Sequence, residues 1–397
     1  MRRIKVLQLS QATGGVQRYV ISLAGCLNKG LFEGVGCCPP IDRIPGVSRQ
    51  KESFAEAFGR IGIRVVPIEM WREIRPLRDL KSFFQIYRLI RKEKFDVVHT
   101  HSSKAGFVGR LAARLAGVPV VVHTPNNFAF DRPRQTPSRL LYRFLETIAS
   151  FFCDRILAVS VSEEKLALKV APRGKVVRID NAIDLQEVVA RKNPLRVREE
   201  LGLVPGRPVV SMVGRLSVQK CPEDFVLAAR EVLQKKQEVA FLVMGDGPLW
   251  QETEGLIRSL NLEKQILLLG WREDVFDLMA ASDLIVLTSL WEGLPYTVLD
   301  AMAFGKPLVV TDATGSVDVV QDGVTGLVVS RHNPSEVAKA ILRLLDHPAE
   351  AKRMGEAGRR FMEKEHLTLR QQVERIQSLY LELLRHKAPE RVKGIFP

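Results

Sequence analysis

Along the chain, short uninterrupted runs of Val, Ile and Leu alternate with longer segments whose apolar residues recur every three or four positions. The first kind reads as strands covered on both faces, hence parallel sheets, and the second as amphipathic helices laid over them. Seven strands are expected in the first half, at residues 5–10, 34–38, 64–69, 96–101, 118–124, 155–160 and 176–180. Six are expected in the second, at 208–214, 239–245, 265–270, 283–289, 307–311 and 326–329. Strand and helix in strict alternation mark doubly wound α/β domains. The polar stretch 184–207, with Pro194, Pro205 and Gly206, interrupts the series and places a hinge near residues 184–186. Beyond Val329 the pattern is helical, over 334–347, 348–365 and 367–387. Two domains follow, 1–185 and 186–365, with a terminal segment 366–397.

A chain of 397 residues suits two such domains better than one core. No apolar run approaches the roughly 18 residues of a membrane span. Met1-Arg2-Arg3-Ile4 enters a strand at once, so no signal peptide is expected and a cytoplasmic location follows. The five cysteines, Cys26, Cys37, Cys38, Cys153 and Cys221, include no C-x-x-C pair, so they read as free thiols and no metal site is expected. Charge is uneven. Residues 1–180 hold 31 Lys and Arg against 15 Asp and Glu, a net +16, whereas the remainder holds 28 against 30, a net −2. An anionic partner is expected for the first half. With no zinc-finger spacing, RNP-like aromatic motif or helix-turn-helix, nucleic acid is not that partner.

Open parallel sheets bind ligands beyond the carboxyl ends of their strands, so the residues after each strand are the candidates for chemistry. The first strand runs into Gly14-Gly15-Val16 ahead of a helix. Paired glycines there suit either a phosphate against a helix N-terminus or a tight turn. His99, His101 and His123, three of the seven histidines, stand at the ends of strands four and five. His99 reads as a core residue, His101 is open, and His123 is the one favoured for function. In the second half, Gly214-Arg215 and Lys220 flank a loop whose cations suit either a diphosphate or solvent. In Glu292-Gly293-Leu294-Pro295…Asp300 a loop enters a helix, setting two carboxylates near a helix N-terminus and its amides. Gly245-Asp246-Gly247-Pro248 and Gly270-Trp271-Arg272 follow the next strands.

These stretches, with Asn181-Ala182-Ile183-Asp184, resemble in order and spacing the retaining glycosyltransferases of family four, of the bacterial type that builds surface polysaccharides and lipid-linked glycans. The resemblance spans nearly the whole chain. It implies the GT-B fold, two Rossmann-like parallel-sheet domains facing across a cleft, with the last helix crossing back onto the first domain. It implies that Arg215 and Lys220 hold the donor diphosphate, Glu292 meets the donor sugar, and Gly293 and Leu294 offer backbone. Gly214 belongs to the same site, Asp300 would hold the ribose, the region around Arg272 the base, and Gly14, Gly15 and His123 would close the site from the first domain. Neither metal nor cofactor is implied, because cations and amides meet the leaving charge. Three positions depart from the pattern. Asp300 stands where the E-x7-E motif has its second Glu, Ala182 where the hinge element has glycine, and Thr124-Pro125-Asn126 where a second histidine region is frequent.

The expected partners are a nucleotide-sugar donor and a lipid-linked or glycan acceptor. The segment 71–94 adds cations interleaved with Leu77, Leu80, Phe83, Phe84, Tyr87 and Ile90. That stripe is expected to face the core, leaving its flanking cations for anionic lipid at the inner face of a membrane, though a basic cleft for a soluble acidic acceptor would carry the same signature. Two other readings of the whole chain are a sugar-nucleotide epimerase and a polyanion- or membrane-binding protein whose catalytic site has decayed.

Overall fold

The computed structural model describes residues 2–11, 14–39, 54–71, 75–131, 136–364, 366 and 368–394. They form two compact units, one of the described residues up to Asn181 together with Leu369 onward, the other Ala182–Thr368. The chain thus leaves the first unit a few residues before the boundary drawn at 185 and returns just after 366.

The first unit runs β1 Ile4–Ser10, α1 Gly15–Cys26, β2 Phe32–Cys38, α2 Phe54–Arg60, β3 Arg64–Pro67, α3 Pro76–Glu93, β4 Val97–His101, α4 Ser103–Leu115, β5 Val120–Thr124, α5 Thr136–Ser150, β6 Arg155–Ala158, α6 Val161–Ala167 and β7 Val176–Arg178. Its sheet has the order β3-β2-β1-β4-β5-β6-β7, and every pairing is parallel. The second unit runs α7 Pro194–Glu200, β8 Val209–Val213, α8 Pro222–Leu233, β9 Ala240–Met244, α9 Trp250–Ser259, β10 Ile266–Gly270, α10 Val275–Ala281, β11 Leu284–Leu287, α11 Tyr296–Ala303, β12 Leu308–Thr311, β13 Leu327–Val329, α12 Pro334–Asp346 and α13 Pro348–Lys364. Its six strands lie in the order β10-β9-β8-β11-β12-β13, again all parallel. The polar stretch after residue 184 holds one short helix, α7, begun by Pro194 behind an Asn193 cap. All thirteen expected strands are present, mostly one or two residues shorter at their ends, where backbone bonding gives way to the loops.

The final helix, α14 Leu369–Lys387, belongs to the first unit. Its apolar face buries Val373, Ile376, Tyr380, Leu383 and Leu384. Polar contacts fix its register: Tyr380 Oη lies 2.5 Å from His99 Nδ1, Gln372 Nε2 donates to Asp180 O at 3.0 Å, and Gln377 Oε1 accepts from Asn28 N–H at 2.7 Å. His99 Nε2 meets Thr124 Oγ1 at 2.7 Å, so both ring nitrogens are satisfied and the residue is part of the core, as read.

One expectation fails. The apolar stripe of α3 does not all face inward. Ser82, Ile86 and Ile90 are buried and Phe83, Tyr87 and Leu89 lean on the core, but Leu77, Leu80 and Phe84 are exposed. Apolar residues run round more than one side of the helix, and only the side through Ser82, Ile86 and Ile90, with Phe83, Tyr87 and Leu89 at its margin, packs inward. Among the described residues, no helix is long and apolar enough to cross a membrane.

Candidate functional site

In the second unit the strand order turns about between β8 and β11, so the chain departs to opposite sides from these neighbours and the loops after them border the ligand-binding position of an open sheet. The two loops are joined by several bonds. Leu290 N–H donates to Gln219 O at 2.8 Å, Thr288 Oγ1 to Lys220 O at 3.0 Å, and Gln219 Nε2 to Trp291 O at 3.0 Å. Their charged groups meet as well. Lys220 Nζ lies 2.5 Å from Glu292 Oε1, and Gln219 Nε2 donates to Glu292 Oε2 at 3.2 Å. The site therefore brings together Lys220 and Glu292, and gives each carboxylate oxygen its own partner.

A third loop, after β12, supports this one from beneath. Thr314 Oγ1 donates to Glu292 O at 3.1 Å, and a Cβ on Gly315 (φ 79°) would fall 2.1 Å from Gly293 O. Arg331 Nη1 holds Leu290 O at 2.9 Å. Gly293 and the buried Leu294 then lead to Pro295, which caps α11 one position ahead of the first turn rather than lying within it. Tyr296 and Thr297 offer amides that have no partner inside the helix. Asp300 is buried in α11, its side chain tilted back toward that open end.

Glycines make the other wall. Gly214 follows β8, Gly245 follows β9 and Gly270 ends β10, with Gly214 N–H bonded to Met244 O and Gly245 N–H to Gly270 O, both at 2.9 Å. Gly245 (φ 143°) admits no side chain, since a Cβ would lie 1.9 Å from Gly214 O. Arg215 follows Gly214, half-buried at the start of the loop. Arg272 closes its fork on Asp274, at 2.7 and 2.6 Å, and these bonds raise the guanidinium's pKa. Cys221, Asp224 and His332 form the one group of metal-ligand types among the described residues, with ligand atoms within 4.8 Å of one another.

The remaining expected site residues lie in the first unit. Its strand order turns between β1 and β4. Gly14 (φ 68°) caps α1 and Gly15 opens it, both exposed, while Ala12 and Thr13 lie outside the described residues. His123 is fully buried. Its Nδ1 contacts Thr100 Oγ1 at 3.0 Å and Thr100 O at 3.2 Å, and Nε2 has no protein partner among the described residues. The ring lies so close beneath α4 that a Cβ on Gly106 would come within 2.3 Å of Cε1. Burial, then the charge of Arg110, holds its pKa well below the ordinary range, and burial pushes that of His101 down to about 3. His101 Nε2 bonds Gln8 Oε1 at 2.8 Å.

Sequence reading missed Gln219, Thr314, Gly315 and Arg331. Thr314 and Gly315 were open to the strand-end rule, since they lie in the loop that follows β12. Gln219 had no local signal.

Residues 13–187 match the Glycosyltransferase Family 4 domain, and residues 195–361 match that of the glycosyl transferases group 1. The UDP-Gal:alpha-D-GlcNAc-diphosphoundecaprenol alpha-1,3-galactosyltransferase of Escherichia coli is 37% identical over 282 residues, covering 69% of this chain and 73% of that protein. The alpha-D-kanosaminyltransferase of Streptomyces kanamyceticus is 30% identical over 286 residues, covering 67% and 72%. Among solved structures, Anabaena HepE in complex with UDP and glucose aligns with a TM-score of 0.80 over 95% of this chain and 99% of its own, at 20% identity. That likeness bears on the fold alone.

Proposed function

The chain belongs to the family 4 glycosyltransferases, and we propose that its donor is a uridine diphosphate sugar and its acceptor a lipid-linked glycan, with the anomeric configuration retained. The observation that carries the donor half is the Lys220–Glu292 pair beside the N-terminus of α11, at the strand-order reversal of the second sheet. A nucleoside diphosphate needs cations and amides for its charge and a carboxylate for a sugar hydroxyl, and that place offers all three. Uridine and the lipid-linked acceptor are taken from the Escherichia coli relative, whose name states both.

In this reading the sugar–phosphate bond breaks through an oxocarbenium-like state. Arg215, Lys220 and the amides at 293–297 take up the charge growing on the diphosphate, worth on the order of 100-fold in rate for each such donor. Glu292 holds the sugar, released in part from Lys220 as the phosphate arrives, and Asp300 holds the ribose. With the Arg272 fork closed on Asp274, the loop backbone around it meets the base. Within the first unit, Gly14 and Gly15 open α1 beyond β1 and His123 is a neutral hydrogen-bonding group at the end of β5. The acceptor hydroxyl attacks on the leaving-group face and passes its proton to the phosphate. No metal takes part, so turnover is expected to survive chelation. The basic first unit brings the enzyme to an anionic membrane, where such an acceptor resides.

Thermal stabilisation by UDP, GDP, ADP, CDP and dTDP, without added metal, tests the donor. A millimolar diphosphate of micromolar affinity adds about 4 kcal/mol, so UDP should stand clear of the rest. No shift from any of the five overturns the donor site. Transfer to a GlcNAc-diphospholipid, absent with free GlcNAc, tests the acceptor.

A further inference from the structure

Helices α3 and α5 flank α4. In right-handed crossovers, the helices after β3, β4 and β5 lie on one face of this sheet and begin at its carboxyl end. Of these, α3 and α5 carry apolar side chains outward up to about their midpoints: Leu77, Leu80 and Phe84 on α3, Leu140, Leu141 and Phe144 on α5. These six are between 48% and 85% exposed. Scattered exposed leucines are ordinary, but two stripes on neighbouring helices at one rim of one face mark an interaction surface.

Charge says what covers it. The same outward turns carry Arg78, Lys81 and Arg88 on α3 and Arg139 and Arg143 on α5, all exposed. The acids of both helices are turned to partners: Asp79 to Lys104 of α4, Glu93 to Arg64 at 3.0 Å, and Glu146 to the buried Arg110 at 2.7 Å. Among the described residues, Lys81, Arg88 and Arg139 face no carboxylate. A protein partner of ordinary surface would be met by mixed charge. An apolar stripe fringed by cations, with its acids withdrawn, complements a bilayer interface of anionic headgroups over acyl chains.

We propose that the outward faces of α3 and α5 dock this enzyme on an anionic lipid bilayer. Both helices insert Leu77, Leu80, Phe84, Leu140, Leu141 and Phe144 among the acyl chains, with the neighbouring cations on the phosphates. The rim so anchored is the carboxyl end of the first sheet, which turns the unit's ligand-binding end toward the membrane. This gives the membrane reading above a specific surface, and it shares no residue with the donor site.

Co-sedimentation of the full chain with phosphatidylcholine vesicles, with and without phosphatidylglycerol, tests it. Binding is expected only with the anionic lipid and should weaken as salt rises. Leu140→Ser/Leu141→Ser/Phe144→Ser and Leu77→Ser/Leu80→Ser/Phe84→Ser should each lower the partition coefficient by about tenfold or more. All six side chains are exposed, so an unchanged melting temperature and unchanged UDP stabilisation show that fold and donor site survive. Equal binding to neutral vesicles, or variants that bind as well as the parent, overturns the proposal. So does a concentration-dependent dimer that the variants dissolve, which assigns the face to a second copy. Loss of UDP stabilisation in the parent chain would overturn the donor reading and leave this one standing.

Discussion

Lys220 and Glu292, 72 residues apart in sequence, meet at 2.5 Å between Nζ and Oε1, with only 15% and 7% of their side chains exposed. Such a pair costs desolvation to form, and breaking it from one side strands a charge. Lys220→Ala should therefore destabilise the protein by about 1–3 kcal/mol, because Glu292 stays buried with only Gln219 beside it. It should also slow transfer by on the order of 100-fold. Adding Glu292→Gln removes the stranded charge and should restore part of the stability while activity stays lost. Urea denaturation of the single and double variants measures this. If the single variant is as stable as the parent, the pair does not organise the site.

Gln219 acts through Glu292. Its amide holds Oε2 at 3.2 Å and Trp291 O at 3.0 Å, which turns the other carboxylate oxygen toward Lys220. Gln219→Ala should lower kcat by roughly tenfold with little change in donor KM, as for an interaction needed mainly in the transition state. Gln219→Glu, which sets carboxylate against carboxylate, should cost more than the alanine. Equal losses in the two variants would point to side-chain volume rather than the hydrogen bond.

How far this was legible follows from the range of each interaction. The thirteen strands were, because a two-sided buried strand writes itself as a local run such as Val120–Thr124 or Leu284–Leu287. Gly214, Lys220 and Glu292 were legible as residues after strands, but their union depends on β8 and β11 being neighbours, which no local segment states. Gln219 and Thr314 act through bonds between loops and left no pattern. The outward stripes of α3 and α5 were misread or missed, because an apolar line at helical spacing looks the same whether it meets a sheet or a membrane. His123 was found by position, while its depth beneath Gly106 depends on how α4 lies on β5.

The glycines of the second unit divide into those the fold needs and those it does not. Gly245→Ala forces a Cβ to within 1.9 Å of Gly214 O at φ 143°, so it should cost roughly 2–4 kcal/mol and weaken donor binding, since both glycines border the site. Gly255, in the middle of α9, has nothing within 4 Å of an added Cβ. Gly255→Ala should instead stabilise by about 0.5–1 kcal/mol. Melting temperatures of the two variants decide it, and opposite signs are required.

His99, His101 and His123 are all buried and held neutral, with pKa values depressed chiefly by burial and further, for His123, by the charge of Arg110. In the unfolded chain each titrates near its ordinary value of about 6.5. Below that pH the unfolded state binds protons that the folded state refuses, so stability is full above about 6.5 and falls as pH drops toward the depressed folded values. Three such groups amount to about 4 kcal/mol per pH unit at the steepest, and to about 5 kcal/mol in all between pH 6.5 and 5, against an ordinary stability of roughly 5–15 kcal/mol. His99 also holds Tyr380 of α14, so its protonation should loosen the packing of that helix on the first sheet. Urea denaturation from pH 7.5 to 5 measures the slope. His101→Gln should flatten it by about one proton, or roughly 1.4 kcal/mol per pH unit, while keeping a polar partner for Gln8. A stability independent of pH across this window would mean that the cluster takes up protons while folded, and a neutral role for His123 would fall with it.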